Sequence, residues 1–177
     1  IFSPAITAQP FARWTKTELK LNNGVVERTI KFPDNTSGFI TTSYKPVTGD
    51  YWYFEKSNTD FQFEVNGKVY SGKGKWLFKK INKLTDTNQG DGAAVTLVSG
   101  DNKIELTLQF LLYPRLPVIR KNLIIKNLTA QTIQLESVDV EKFEVIEYWP
   151  TTYSWIFHDY GRRKSIGPYD GNMQDAL

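Results

Sequence analysis

The chain has no cysteine among its 177 residues. Disulfides, thiolate metal sites and thiol nucleophiles are thereby excluded, and the redox compartment is left open. Histidine is nearly absent as well: His158 stands alone, which rules out a His-rich metal centre and any chemistry needing two imidazoles. Alanine is sparse and no long alanine, leucine and glutamate run occurs, which argues against a helical bundle. No apolar stretch reaches the length of a membrane-spanning helix. Like charges never run together far enough to make a nucleic-acid tail or a membrane-surface patch, so the formal charge of +3 says little about partners. The one short basic cluster, Arg162-Arg163-Lys164, reads as a solvated turn or ligand-side loop. No cofactor motif is present. Gly72-Lys73-Gly74-Lys75 has the glycines and lysines of a phosphate loop but no helix after it, and reads as a turn.

Aromatic residues are what the chain has in quantity, at 14% with 5 Trp, 9 Tyr and 11 Phe. Aromatic and β-branched side chains fit pleated, half-buried surfaces, so the composition points to sheet. Short alternating segments separated by turn residues carry the same message. Glu18 to Leu21 reads as a strand, turned by Asn22-Asn23-Gly24 into Val25 to Phe32, where Val26, Arg28 and Ile30 share one face. Pro33-Asp34-Asn35 breaks the run, and Gly38 to Tyr44 resumes it. Phe61, Phe63 and Val65 alternate up to Asn66-Gly67, a strong hairpin signal, and Val69-Tyr70 follows. Trp76 to Ile81 is lysine-rich enough to suit a helix, but its surroundings favour strand. Thr85 to Gly92 is a soft loop between two halves.

The second half is more regular. Val95, Leu97 and Ser99 alternate up to the turn at Gly100-Asp101-Asn102. Ile104, Leu106, Leu108, Phe110 and Leu112 then keep strict two-residue spacing, which puts all five on one face of a long strand. Pro114 and Pro117 bracket a bend. Val118 to Lys126 and Thr132 to Val145 read as two more strands joined through Asn127-Leu128-Thr129-Ala130. Apolar parity shifts from Ile133 and Leu135 to Val138 and Val140, the mark of a β-bulge. Ten to twelve such strands bury their apolar sides as two facing sheets, so the predicted fold is an all-β, two-layer antiparallel sandwich. Residues 1–15 read as an extended lead-in without the charged and apolar regions of a signal peptide. The sandwich spans 16–160, and 161–177 is a turn-rich lead-out towards a further domain of a longer polypeptide.

No catalytic set emerges from the residues. His158-Asp159 reads as a structural pair near a strand end rather than an acid–base couple. Glu136, Asp139, Glu141, Glu144 and Glu147 lie close in sequence, but alternation scatters them over both faces of one strand and gives a solvated sheet face instead of a paired glycosidase site. Asn35-Thr36-Ser37 and Asn127-Leu128-Thr129 match the glycosylation pattern. The candidate ligand residues are the aromatics at loop positions, since flat rings stack on sugar faces. Tyr51, Trp52 and Tyr53 form one group. Trp149, Tyr153 and Trp155 form another, with His158 and Arg162 beside it. Packing against a neighbouring domain is the competing use of the same side chains.

One family resemblance can be drawn. Leu21 to Ile30 (LNNGVVERTI), Phe61 to Lys68 (FQFEVNGK) and Leu106 to Leu135, above all Pro117 to Asn127 (PVIRKNLIIKN), resemble the amino-terminal domain of α-galactosidases of glycoside hydrolase family 36. Gly167 to Leu177 (GPYDGNMQDAL) is similar to the lead-out of such a domain. The resemblance implies a β-supersandwich of the galactose-mutarotase-like kind placed before a catalytic (β/α) barrel, in a secreted or periplasmic enzyme. The catalytic carboxylates of that family belong to the barrel, so no catalytic residue carries over. Mutarotase-type epimerases use histidine with a carboxylate, and one histidine argues against that activity. The implied role is to support the barrel, shape its substrate rim and take part in oligomer contacts. Two other readings stay open: a stand-alone carbohydrate-binding module, and a structural or interaction sandwich unrelated to sugars.

Overall fold

The computed structural model describes residues 10–48, 59–142, 153–157 and 163–168, the last two segments as backbone. All its regular structure is strand. By contact density the chain divides into two units, Ile1–Glu144 and Val145–Leu177.

Among the described residues, the first unit contains eleven strands in three antiparallel sheets. The first sheet orders β1 (Ala12–Trp14), β2 (Glu18–Asn22), β3 (Val26–Lys31) and β4 (Ile40–Pro46) as consecutive neighbours. The second places β11 (Leu135–Lys142) beside β5 (Asp60–Val65) and β5 beside β6 (Lys68–Ser71). The third runs β10 (Ile119–Asn127), β9 (Ile104–Leu112), β8 (Asp91–Ser99) and β7 (Trp76–Thr85). Apolar side chains from all three sheets meet in one core, including Leu19, Leu21 and Ile30 of the first, Phe61 and Phe63 of the second, and Val95, Leu97 and Leu106 of the third. This is the antiparallel sandwich expected from the alternation, with its apolar sides turned inward.

Local chemistry explains the elements. The five alternating apolar residues of β9, Ile104, Leu106, Leu108, Phe110 and Leu112, are buried on one face, while Glu105, Thr107 and Gln109 alternate with them on the other, where Leu111 is also buried. Asn66 and Gly67 both have positive φ, 50° and 73°, the geometry of a tight β5–β6 hairpin whose twist matches its strands. β7 is a strand despite its lysines. It lies at the edge of its sheet, where exposed lysines blunt a row of unpaired backbone groups. The parity shift in the last long strand is a true irregularity: the β11–β5 register slips between Leu135 and Val138 and again between Asp139 and Lys142. Gly72 to Lys75 forms the β6–β7 turn, as expected.

Two backbone segments cross closely where sheets one and two approach. A Cβ on Gly38 would lie 2.0 Å from the Gly72 carbonyl oxygen, and one on Gly72 would lie 2.2 Å from that of Thr59. Only residues without side chains fit there.

The second unit holds a single described hairpin, β12 (Tyr153–Phe157) with β13 (Arg163–Pro168), aligned through Trp155↔Ser165 and Phe157↔Arg163. Arg163 and Lys164 therefore sit in a strand, not in the turn or loop expected for the basic cluster, and β13 occupies part of the stretch read as turn-rich. Their alternation in Arg163-Lys164-Ser165-Ile166 was too short to outweigh the surrounding glycines.

Candidate functional site

The most organised polar site is buried inside the first unit. It begins with Arg28, which shares the inward face of β3 with Val26 and Ile30. Its side chain is 2% exposed. A buried guanidinium needs partners for all five N–H groups, and here it finds them on three other strands. Nε donates to Thr41 Oγ1 of β4 at 2.9 Å. Nη2 donates to Asp60 Oδ1 at the start of β5 and to Glu141 Oε1 of β11 at 3.2 Å. Nη1 donates to both Glu141 oxygens, at 3.2 and 3.0 Å. The guanidinium also stands over two rings, its carbon 5.3 Å from the Phe110 centroid and 5.4 Å from that of Tyr44.

Lys121 of β10 enters the same site and is equally buried, at 2% side-chain exposure. It occupies a core-parity position between Ile119 and Leu123. Its ammonium donates to the Asp60 carbonyl oxygen at 2.9 Å, pairs with Glu141 and lies 3.8 Å from Asp60 Oδ1. Asp60 itself adopts φ 62°, a left-handed conformation that Asp tolerates better than most residues. Its carboxylate accepts from the Thr41 hydroxyl at 2.7 Å and from the Thr41 amide. Among the described residues, two cations and two carboxylates thus meet inside the protein, drawn from four strands of three sheets.

Burial and charge pull the two cations in different directions. Burial alone would lower the Arg28 pKa, but the charges of Asp60 and Glu141 outweigh it and raise it above its ordinary value. Lys121 is lowered to about 8, by burial first and then by the neighbouring Arg28 charge, against the pull of Glu141 and Asp60. Glu141 is the one member that reaches solvent, with its side chain 33% exposed.

A second polar centre surrounds Asp101 in the β8–β9 turn. Its carboxylate accepts from Lys68 Nζ at 2.7 Å, Tyr70 OH at 2.9 Å and Ser99 Oγ at 2.6 Å. Burial opposes its charge, yet these donors hold its carboxyl well below the usual range. An open cleft of about 320 Å³ lies beside it, lined among others by Lys68, Tyr70, Trp76 and Asp101. Trp76 is buried and spends its indole N–H on the Ser71 carbonyl at 2.8 Å, so it presents no stacking face there.

The acidic residues of the last long strand separate. Glu136 meets Glu64 of β5, whose carboxyl is raised by a hydrogen bond with Glu136 and by its charge. Both stand on an open sheet surface. Glu141 instead turns inward to Arg28 and Lys121, which corrects the expectation of a solvated sheet face for this member of the group; it lies within the second register slip of β11, between Asp139 and Lys142. Asn127 is held by its own turn, donating to the Gln131 carbonyl at 2.7 Å.

Of the aromatic and polar candidates for ligand contact, Trp52, Tyr53, Trp149, His158 and Arg162 lie outside the described residues, as do Glu144 and Glu147. Tyr153 and Trp155 are placed by their backbone alone, two positions apart in β12. The residues that sequence reasoning passed over are Lys121, Asp60 and Thr41. A signal for part of the set existed: Arg28 and Lys121 are cations standing in apolar-parity positions, where a charge survives only with a buried partner.

Chemically, the buried cluster can hold strands together but has no spare group for turnover. Each carboxylate is already chelated by cations, and each cation by carboxylates. Among the described residues, no three His, Asp or Glu side chains are placed to hold a metal ion, and no helix is long and apolar enough to cross a membrane. No family model matches the chain, and no solved structure matches it.

Proposed function

We propose that this chain is a non-catalytic sandwich domain of a larger α-galactosidase-like glycoside hydrolase, exported from the cytoplasm, that supports the catalytic barrel and shapes its substrate rim. The observation that carries this reading is the saturation of the buried cluster. Glycoside hydrolysis needs two carboxyl groups set to serve one bond, one of them free to give a proton. Asp60 and Glu141 are committed to Arg28 and Lys121, and the Glu64–Glu136 pair stands on an open surface. A cluster whose charges are already paired suits support better than chemistry. The resemblance to that family rests on Leu21 to Ile30, which lies in the β2–β3 hairpin, Phe61 to Lys68, in the β5–β6 hairpin, and Pro117 to Asn127, the segment that brings in Lys121.

The test is to read the gene beyond the codon for Leu177 and to assay both products. A downstream (β/α) barrel, with α-galactoside hydrolysis by the long polypeptide and none by the 177-residue chain, is the expected result. A stop codon directly after Leu177, or hydrolysis by the short chain, would overturn the reading. Titrating the chain with galactosides under tryptophan fluorescence adds a second arm: saturable quenching would move the assignment to a sugar-binding module.

A further inference from the structure

β11 is attached to the first unit in an unusual way. None of its eight residues, Leu135 to Lys142, is buried, whereas its partner β5 buries Phe61, Phe63 and Val65. Its ladder with β5 slips twice, leaving Leu135↔Val65, Val138↔Phe63, Asp139↔Gln62 and Lys142↔Asp60 as the matched positions. The flanking backbone bonds, Asn66 N–H to the Gln134 carbonyl at 3.0 Å and Thr59 N–H to the Lys142 carbonyl at 3.2 Å, extend that ladder by one at each end. Two side-chain bonds of the strand lie at the surface: Gly67 N–H donates to Glu136 at 3.2 Å, and Lys142 donates to Gln62 at 3.1 Å. Glu141 is different. It alone reaches the interior, taking three bonds from Arg28 and pairing with Lys121.

We propose that β11 is a strap latched by Glu141 onto Arg28 and Lys121, and that it opens as a local unit while the rest of the first unit stays folded. Local opening is governed by the apolar surface a segment buries and by the solvent exposure of its backbone bonds. β11 buries no side chain, so the charge-assisted bonds of Glu141 dominate what holds it down. Its side chain is already one-third exposed, so water can reach it as it leaves. Asp60 stays behind with Arg28, Thr41 and Lys121, so both cations of the latch remain in place when the strap leaves. While it is open, β5 becomes a free sheet edge, and the latch therefore decides whether that edge is available for pairing. The inference does not depend on the proposed function.

Hydrogen–deuterium exchange on the 177-residue chain tests it, comparing the parent with Glu141→Gln and with Glu136→Gln, a change on the same strand away from the cluster. Glu141→Gln is expected to speed exchange across Leu135–Lys142 by about tenfold or more, with β8 and β9 within about twofold of the parent. Glu136→Gln is expected to leave the strand within the same margin. Unchanged exchange in Glu141→Gln, or equal acceleration by Glu136→Gln, would remove the latch. Acceleration that spreads equally into β8 and β9, or failure of Glu141→Gln to fold, would also overturn the proposal, because the cluster would then support the whole unit and not one strand.

Discussion

β9 and β11 are strands of nearly equal length in one unit, held by opposite means. β9 buries Ile104, Leu106, Leu108, Phe110 and Leu112 and lies between two neighbours of its sheet. β11 carries Leu135, Val138 and Val140 but leaves all three exposed, and it depends on one carboxylate that finds two buried cations. An apolar residue therefore does not make a core strand.

Substituting charge into each strand gives the largest expected contrast. Ile104→Asp or Leu108→Asp should abolish folding, because an unpaired carboxylate in the core costs more than a domain's marginal stability. Val138→Asp should change stability by no more than about 1 kcal/mol, since the site is exposed. Urea unfolding followed by circular dichroism separates the two cases, and a folded Leu108→Asp would remove the distinction.

The next effect belongs to the cluster. Arg28→Met should cost about 3–5 kcal/mol, because it leaves Asp60 buried with only Lys121 and Thr41. Replacing Asp60 by Asn, which tolerates the same left-handed backbone, in the same chain should recover much of that loss. A single variant within about 1 kcal/mol of the parent would show that the cluster contributes little to holding the sheets.

Lys121 sharpens the same point through pH. Its folded pKa of about 8 lies below the ordinary 10.5, so between those values the unfolded chain binds more protons than the folded one. Stability should then rise with pH across that window relative to a Lys121→Met variant, by at most ~3 kcal/mol at ~1.4 kcal/mol per unit. Parallel curves for the two proteins would mean that the lysine is not perturbed. The smallest effect is local to β5 and β11: Glu136→Gln should bring the Glu64 titration down towards the usual carboxylate range, read by carbon NMR of its side chain. An unmoved titration would show the two carboxyls to be uncoupled.

The fold was legible where one periodicity ran uninterrupted. Strict spacing from Ile104 to Leu112 identified a buried face, and Asn66-Gly67 located a hairpin through the positive φ that its residues tolerate. The cluster was harder to read because its members lie 32 and 113 residues apart along the chain, and no local pattern reports such a meeting. Arg28 and Lys121 left a trace as cations in apolar slots. Glu141 left none, since the register slip around it hides which way it faces. The parity shift at Leu135 and Val138 did announce a bulge, but not that the strand beyond it would be uncovered.

The crossing of Gly38 over Gly72 sets limits on how this polypeptide can be re-engineered. Backbone packs on backbone there, so the crossing admits neither an added side chain nor a loosened chain end without parting the two segments. Circular permutants opened between Gly38 and Ile40 or between Ser71 and Lys75 should fail to assemble. New termini belong instead at the exposed tip Thr87–Gln89, where cutting the chain severs no contact between sheets.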